Sequence, residues 1–271
     1  MSLRGHLPFR LAVAAVALCL AAACGGASAA SSQGSNGSTL TVLAAASLSR
    51  VFPGIGRLFA RTHPGTAVRF SFGGTDLLTA QIEQGVQGDV FAGASTKYAD
   101  RLLAERLVGR PRAFCTNRLV LVVPSSNPAG ITSLRDLATK DARLVIGSAT
   151  VPIGAYTRTV LGNLDAAFGS SYSAKVLSHV VSDELDVESV LTKVRTGEAD
   201  AGFVYMTDAA AAGSAVRRID LPDNAQAVAN YQAAAIARST HPSLAGAFVD
   251  FLLSLVPQQA LRRAGFGPPA V

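Results

Sequence analysis

The strongest constraint on this chain is a rhythm. From Leu40 to Ala264, short apolar runs of strand length alternate with longer amphipathic stretches of helix length. Residues 40–45, 68–72, 89–92, 119–123, 143–147, 202–205, 216–220 and 231–237 read as strands. Residues 48–61, 77–84, 98–105, 134–139, 155–168, 187–195, 207–212, 244–255 and 258–264 read as helices. Such alternation predicts an α/β fold with mainly parallel sheets covered by helices.

Upstream of this rhythm the chain changes character. Arg4 and Arg10 precede an uncharged apolar run over 11–23 that is too short for a comfortable membrane span, and Cys24 follows. This predicts an export signal over 1–23. Leu20-Ala21-Ala22-Ala23-Cys24 resembles a bacterial lipoprotein box, with Ala21 where Leu is usual. The resemblance implies cleavage before Cys24, acylation of that cysteine (palmitate among the lipids) and a lipid anchor on the extracytoplasmic face of the cell membrane. The alternative is plain secretion with cleavage near Ala29 or Ala30. Residues 25–38 hold only Gly, Ser, Ala, Asn and Gln, so 24–38 reads as a flexible tether.

Of the three cysteines, Cys19 leaves with the signal and Cys24 carries lipid, which leaves Cys115 alone in the folded body. An exported domain without a disulfide framework must hold together through its core. The 49% apolar and 15% charged composition supports a globular core and excludes disorder as the main state. The formal net charge of +6 is scattered, apart from pairs such as Arg217-Arg218 and Arg262-Arg263. With no dense basic run or aromatic-interleaved strip, nucleic acid is excluded as a partner.

Four strand-to-helix junctions carry small or hydroxyl-bearing residues: Ala45-Ala46-Ser47, Gly73-Gly74-Thr75, Val151-Pro152-Ile153-Gly154 and Asp186-Val187. A helix start offers unpaired N–H groups and the positive end of the helix dipole, which suits an anion. Ser and Thr at one such junction are ordinary helix caps. Four junctions in one α/β chain, without clustered Lys or Arg, form a more specific pattern.

These segments resemble the molybdate-binding proteins that serve bacterial molybdate ABC importers. The resemblance runs through residues 41–48, then Phe70-Ser71-Phe72-Gly73-Gly74-Thr75 with Gln81-Ile82-Glu83 and Gly88-Asp89-Val90-Phe91-Ala92. It continues through Val151-Pro152-Ile153-Gly154-Ala155-Tyr156 and Gly202-Phe203-Val204-Tyr205-Met206-Thr207-Asp208-Ala209, and covers about 40–267. It implies a two-lobed, type II periplasmic-binding-protein-like fold, joined by two crossings, with the ligand in the cleft between lobes. The expected lobes are 39–117 with 231–271, and 118–230, closing by a hinge motion. In that family a tetrahedral dianion is held by two hydroxyls, backbone amides and a tyrosine. Carried over by position, Ser47 and Thr75 are the hydroxyl donors, Ile153 and Val187 the backbone donors and Tyr205 the phenol.

Three departures bear on the site. Thr75 stands where Ser is usual, adding a stiff methyl group. Ile153 replaces Ala, which could narrow the cleft mouth. Asp76 follows Thr75 and is expected to point outward, complementing the helix dipole. Turned inward, it would accept a proton from hydrogen phosphate.

Other chemistry is weaker. His63, His179 and His241 lack metal spacing, and no metal is expected beyond the molybdenum of the ligand itself. Tyr98, Tyr156, Tyr172, Tyr205 and Tyr231 are dispersed along the chain, and Asp183, Glu184, Asp186 and Glu188 read as a capping and solvated stretch. No nucleophile-elbow or phosphate-loop pattern is present, so no enzyme and no cofactor are expected. The expectation is the extracytoplasmic substrate-binding component of an ABC importer, a monomer that captures molybdate or tungstate and delivers it to a membrane permease. The alternatives are a sulfate- or phosphate-binding protein, or a sensory module on the same fold.

Overall fold

The strand rhythm resolves into two five-stranded sheets in the computed structural model, which describes residues 37–270. The expected signal, Cys24 and all of the tether before residue 37 lie outside the described residues. In chain order the first elements are β1 (Ser38–Ala45), α1 (Phe52–Thr62), β2 (Thr66–Gly73), α2 (Thr75–Glu83), β3 (Val90–Gly93), α3 (Thr96–Ala104) and β4 (Arg112–Asn117). Next come β5 (Leu119–Pro124), β6 (Leu144–Gly147), α4 (Pro152–Phe168), α5 (Tyr172–Ser178), β7 (Val180–Glu184), α6 (Val187–Arg195) and β8 (Ala201–Tyr205). The chain closes with α7 (Met206–Ala212), β9 (Val216–Asp220), β10 (Ala229–Ala235), α8 (Pro242–Leu252) and α9 (Leu255–Arg263).

One sheet has the order β2-β1-β3-β10-β4 and the other β7-β6-β8-β5-β9. The expectation of mainly parallel sheets is corrected here. In the first sheet β10 runs antiparallel to both neighbours, and in the second β5 does the same. The remaining ladders, β1 with β2 and β3, and β6 with β7 and β8, are parallel. The two reversed strands are the ones that follow a crossing between sheets: a single residue, Arg118, separates the end of β4 from the start of β5, and β10 follows the return from β9. Strands that finish at the cleft run toward it. A strand arriving from the other lobe starts at the cleft and must run away.

Local sequence explains most elements. β3, β5, β6 and β8 are buried at every residue, as continuous apolar runs require when helices cover both faces. Edge strand β7, VVSDE, alternates half-buried and exposed positions. Its acidic end obscured it in the sequence, and β4 was equally hidden by Arg112, Thr116 and Asn117. Helix α5 also went unread. The helix expected from residue 48 starts at Phe52, with Pro53 in its first turn, where a missing N–H costs nothing. Residues 134–139, read as helix, form a short 3₁₀ turn, Leu134–Ala138.

Helix α6 shows how packing follows pattern. Val187, Val190, Leu191 and Val194 fall at i, i+3, i+4 and i+7, and all are buried. Each such burial contributes roughly 1.5–3 kcal/mol. At its start, Asp186 Oδ1 accepts from Ser189 N at 2.9 Å, a cap worth about 1 kcal/mol. In the first lobe, α1 turns Phe52, Ile55 and Phe59 inward, and Phe59 meets Phe248 of α8 edge-on at 5.1 Å between centroids.

Candidate functional site

Six strands that run to the cleft, β1, β2, β3, β6, β7 and β8, end beside one cavity between the two sheets. Ligands in open α/β sheets sit outside the strands' carboxyl ends for this reason. The cavity encloses about 240 Å³ of unfilled space, part of it open to solvent, and Ser47, Thr75, Ile153, Val187 and Tyr205 all line it. The chain thus brings together five residues spread over more than half its length.

Each of the five is set by its local backbone. Ser47 lies in a 3₁₀ turn, Ala46–Leu48, directly after β1. Thr75 opens α2, and its Oγ1 accepts from Ala94 N at 3.2 Å. A hydroxyl has one proton and two lone pairs, so that bond leaves the Thr75 proton free for the cavity. The added methyl group of Thr75 fits because residue 93 is glycine: a Cβ there would approach Thr75 Cγ2 to 2.8 Å. Ile153 follows Pro152 at the start of α4, so the first-turn amides available begin at residue 153. Its side chain is buried with Cγ2 beside Gly147. Val187 is the first residue of α6; the Asp186 cap occupies the amide of Ser189 and leaves that of Val187 without an intrahelical partner.

Tyr205 closes β8 and is 2% exposed. Its hydroxyl is buried and has no hydrogen-bond partner among the described residues. Burial pushes its pKa well up, and neighbouring Tyr231, Tyr156 and Asp208 add to the effect, so it remains a proton donor. Asp208 Oδ2 holds the Tyr205 amide at 3.2 Å. The cavity lining includes no Lys or Arg, and its one carboxylate, Asp186, is turned to its own helix. Apart from that carboxylate the lining side chains are neutral, and Ser47, Thr75 and Tyr205 carry hydroxyl protons.

The lobes touch around this cavity. Arg50 Nη2 meets Glu188 Oε2 at 3.0 Å, Tyr156 Oη donates to Ala94 O at 3.3 Å, and Tyr98 Oη donates to Thr150 O. The expected outward orientation of Asp76 is corrected by the same contacts. Its Oδ2 accepts from Thr150 Oγ1 at 3.1 Å across the cleft, because the closed lobes bring Thr150 within reach. Asp76 does not line the cavity. Gly74 permits this closeness, since a Cβ there would overlap the Leu185 carbonyl oxygen. Nor is the acidic stretch merely solvated: Asp183 pairs with Arg158, Glu184 with Lys193 and Glu188 with Arg50.

One neighbour of the site was not legible in the sequence. Tyr231, read as one of several dispersed tyrosines, lies with its hydroxyl 2.8 Å from Ser47 Oγ and its ring 6.1 Å from that of Tyr205. No local signal marks it, because its partner is 184 residues away.

Comparison with known proteins adds the family context. The model for bacterial extracellular solute-binding proteins matches residues 40–267. The chain is 37% identical over 232 residues to the molybdate-binding protein ModA of Mycobacterium tuberculosis, covering 85% of each. It is 28% identical over 235 residues to YvgL of Bacillus subtilis, a putative ABC transporter substrate-binding lipoprotein, covering 84% of this chain and 86% of that one. The periplasmic molybdate-binding protein of Azotobacter vinelandii shares the fold, with a TM-score of 0.73 at 22% identity over 85% of this chain and 100% of the other.

Proposed function

Because this chain belongs to the bacterial extracellular solute-binding proteins, we propose that it is the substrate-binding component of an ABC importer and captures molybdate. The observation that carries this reading is the buried Tyr205 hydroxyl, a donor without a partner, in one cavity with Ser47, Thr75 and the starts of α2, α4 and α6. A fully deprotonated tetrahedral oxyanion offers only acceptors, so an all-donor pocket suits it and rejects ligands that need an acceptor. Neutral donors also avoid leaving a buried cation unpaired when the cleft is empty. The role is binding and delivery, not catalysis, and the site asks for no cofactor.

In this reading Ser47, Thr75 and Tyr205 donate through side chains, and Ile153 and Val187 through the backbone. The lobes, 39–117 with 231–271 and 118–230, open to admit the ion, and the closed face meets the membrane permease. Tungstate shares the charge and nearly the size of molybdate, so the cage holds both about equally. Sulfate is smaller and leaves donors unmet, each costing ~1–3 kcal/mol. The box ending at Cys24 supports acylation and a lipid anchor, as does the name of the Bacillus relative, and the anchored protein is proposed to act as a monomer.

Titration calorimetry with molybdate, tungstate, sulfate and phosphate tests the assignment. Comparable binding of the first two and far weaker binding of the others is expected; a preference for sulfate or phosphate overturns it. Retention of the full-length protein in the membrane fraction, and its release by Cys24→Ala, tests the anchor.

A further inference from the structure

Tyr231 lies behind the cavity wall without lining it, and its side chain is wholly buried. We propose that Tyr231 is a positioning residue for oxyanion capture, donating its phenol proton to Ser47 Oγ so that the Ser47 proton is directed at the ion. The proposal rests on the reading of the cavity as an oxyanion site.

The direction of that hydrogen bond follows from chemistry. Either oxygen of the 2.8 Å pair could donate. A hydroxyl has one proton, and an oxyanion has use for Ser47 only as a donor, so Ser47 must accept from Tyr231. The phenol is the more acidic of the two and the better donor. Burial pushes its pKa well up, and the Asp208 charge adds to this, so the proton stays in place at neutral pH. A chain from phenol to serine to anion strengthens each of its bonds in turn.

The backbone is built to aim this side chain. Tyr231 is on β10, and the pairing of β10 with β4 slips between Tyr231 and Gln232. Such irregularities bend a strand and redirect a side chain. The ring is then wedged by Phe114 at 6.1 Å and Phe266 at 5.6 Å, both nearly perpendicular to it. Its third neighbour is Tyr205 of the other lobe. Tyr231 therefore contacts two of the three hydroxyl-bearing residues of the cavity lining, Ser47 through its hydroxyl and Tyr205 through its ring. It does so from the strand on which the chain returns from the second lobe.

A double-mutant cycle separates positioning from packing. Tyr231→Phe keeps the ring and removes only the proton donor, so the ligand-free melting temperature should stay within a few degrees. Molybdate affinity by calorimetry should fall about tenfold in Tyr231→Phe and in Ser47→Ala, and the double variant should bind no more weakly than the worse single one. An unchanged affinity in Tyr231→Phe overturns the proposal, as does a further tenfold loss when it is added to Ser47→Ala. Replacing Tyr231 with 3-fluorotyrosine, which keeps the shape and makes a stronger donor, guards against a folding defect. Binding should hold or tighten there, and a loss counts against the proposal. If the unmodified protein binds neither molybdate nor tungstate, it is the functional reading that fails.

Discussion

The first lobe faces the cleft with side-chain hydroxyls, Ser47 and Thr75, whereas the second faces it mainly with main chain. Ile153 and Val187 are apolar residues whose polar contribution is an amide in the first turn of a helix, and Tyr205 is the one hydroxyl that lobe brings to the cavity lining. The two walls fail in different ways. A hydroxyl is lost by any substitution that deletes it. A backbone donor survives almost every substitution and yields only to proline or to a shift of the helix start. An Ile at 153 therefore leaves the main-chain amide as available as any other non-proline residue would.

The largest effect should come from a residue that contributes no donor. Gly74→Ala adds a methyl group that overlaps the Leu185 carbonyl only when the lobes are together. Its φ of −59° suits alanine, so the open form should fold normally. Molybdate affinity should fall by about a hundredfold or more, with small-angle scattering showing no compaction on adding ligand. Compaction and full affinity in this variant would mean that the lobes do not need this approach to bind.

Tyr205→Phe comes next. It removes one charge-assisted hydrogen bond worth ~1.5–3 kcal/mol, or roughly a ten- to hundredfold loss of affinity by calorimetry, with the fold unchanged. Val187→Pro tests the main-chain wall directly. Proline is tolerated at the first helical position, so α6 should persist while its first amide is lost. A loss of about tenfold is expected. Circular dichroism checks the helix, and unaltered binding would remove Val187 from the donor set.

The smallest effect should fall on stability alone. Asp200 ties the starts of β6 and β8, accepting from Arg143 N at 2.8 Å and from its guanidinium at 2.9 and 3.1 Å. The Arg143 side chain holds the Asp200 carboxyl below the usual carboxylate range. A lowered folded pKa means that the unfolded chain binds the proton first as pH falls. The stabilisation is therefore complete above the unfolded value, about 3.9, and disappears as pH drops through the lower folded one. Asp200→Asn should melt a few degrees below the wild type at pH 7. The gap should close in strong acid, and molybdate affinity at pH 7 should stay the same.

The contrast between the walls also marks what could be read in advance. Strands and helices were legible where apolar periodicity was clean, as in β5 or α6, and missed where polar residues broke it, as in β4 and β7. Ser47, Thr75, Ile153 and Val187 stand at junctions that small and hydroxyl-bearing residues mark, whereas their roles, and Tyr205 altogether, came from the resemblance to molybdate-binding proteins.

What the sequence by itself determined is local: periodicity sets the type of each element, and the junction residues set which donors stand at its end. Tertiary structure alone decided the reversal of β5 and β10, since that depends on which lobe a strand arrives from. It alone turned Asp76 onto Thr150 and brought Tyr231 to Ser47. These contacts join segments 74 and 184 residues apart. Neither partner's neighbours along the chain carry any trace of the other: Asp76 meets Thr150 only when the two lobes pack against each other, and Tyr231 meets Ser47 only because β10 returns into the sheet that holds β1.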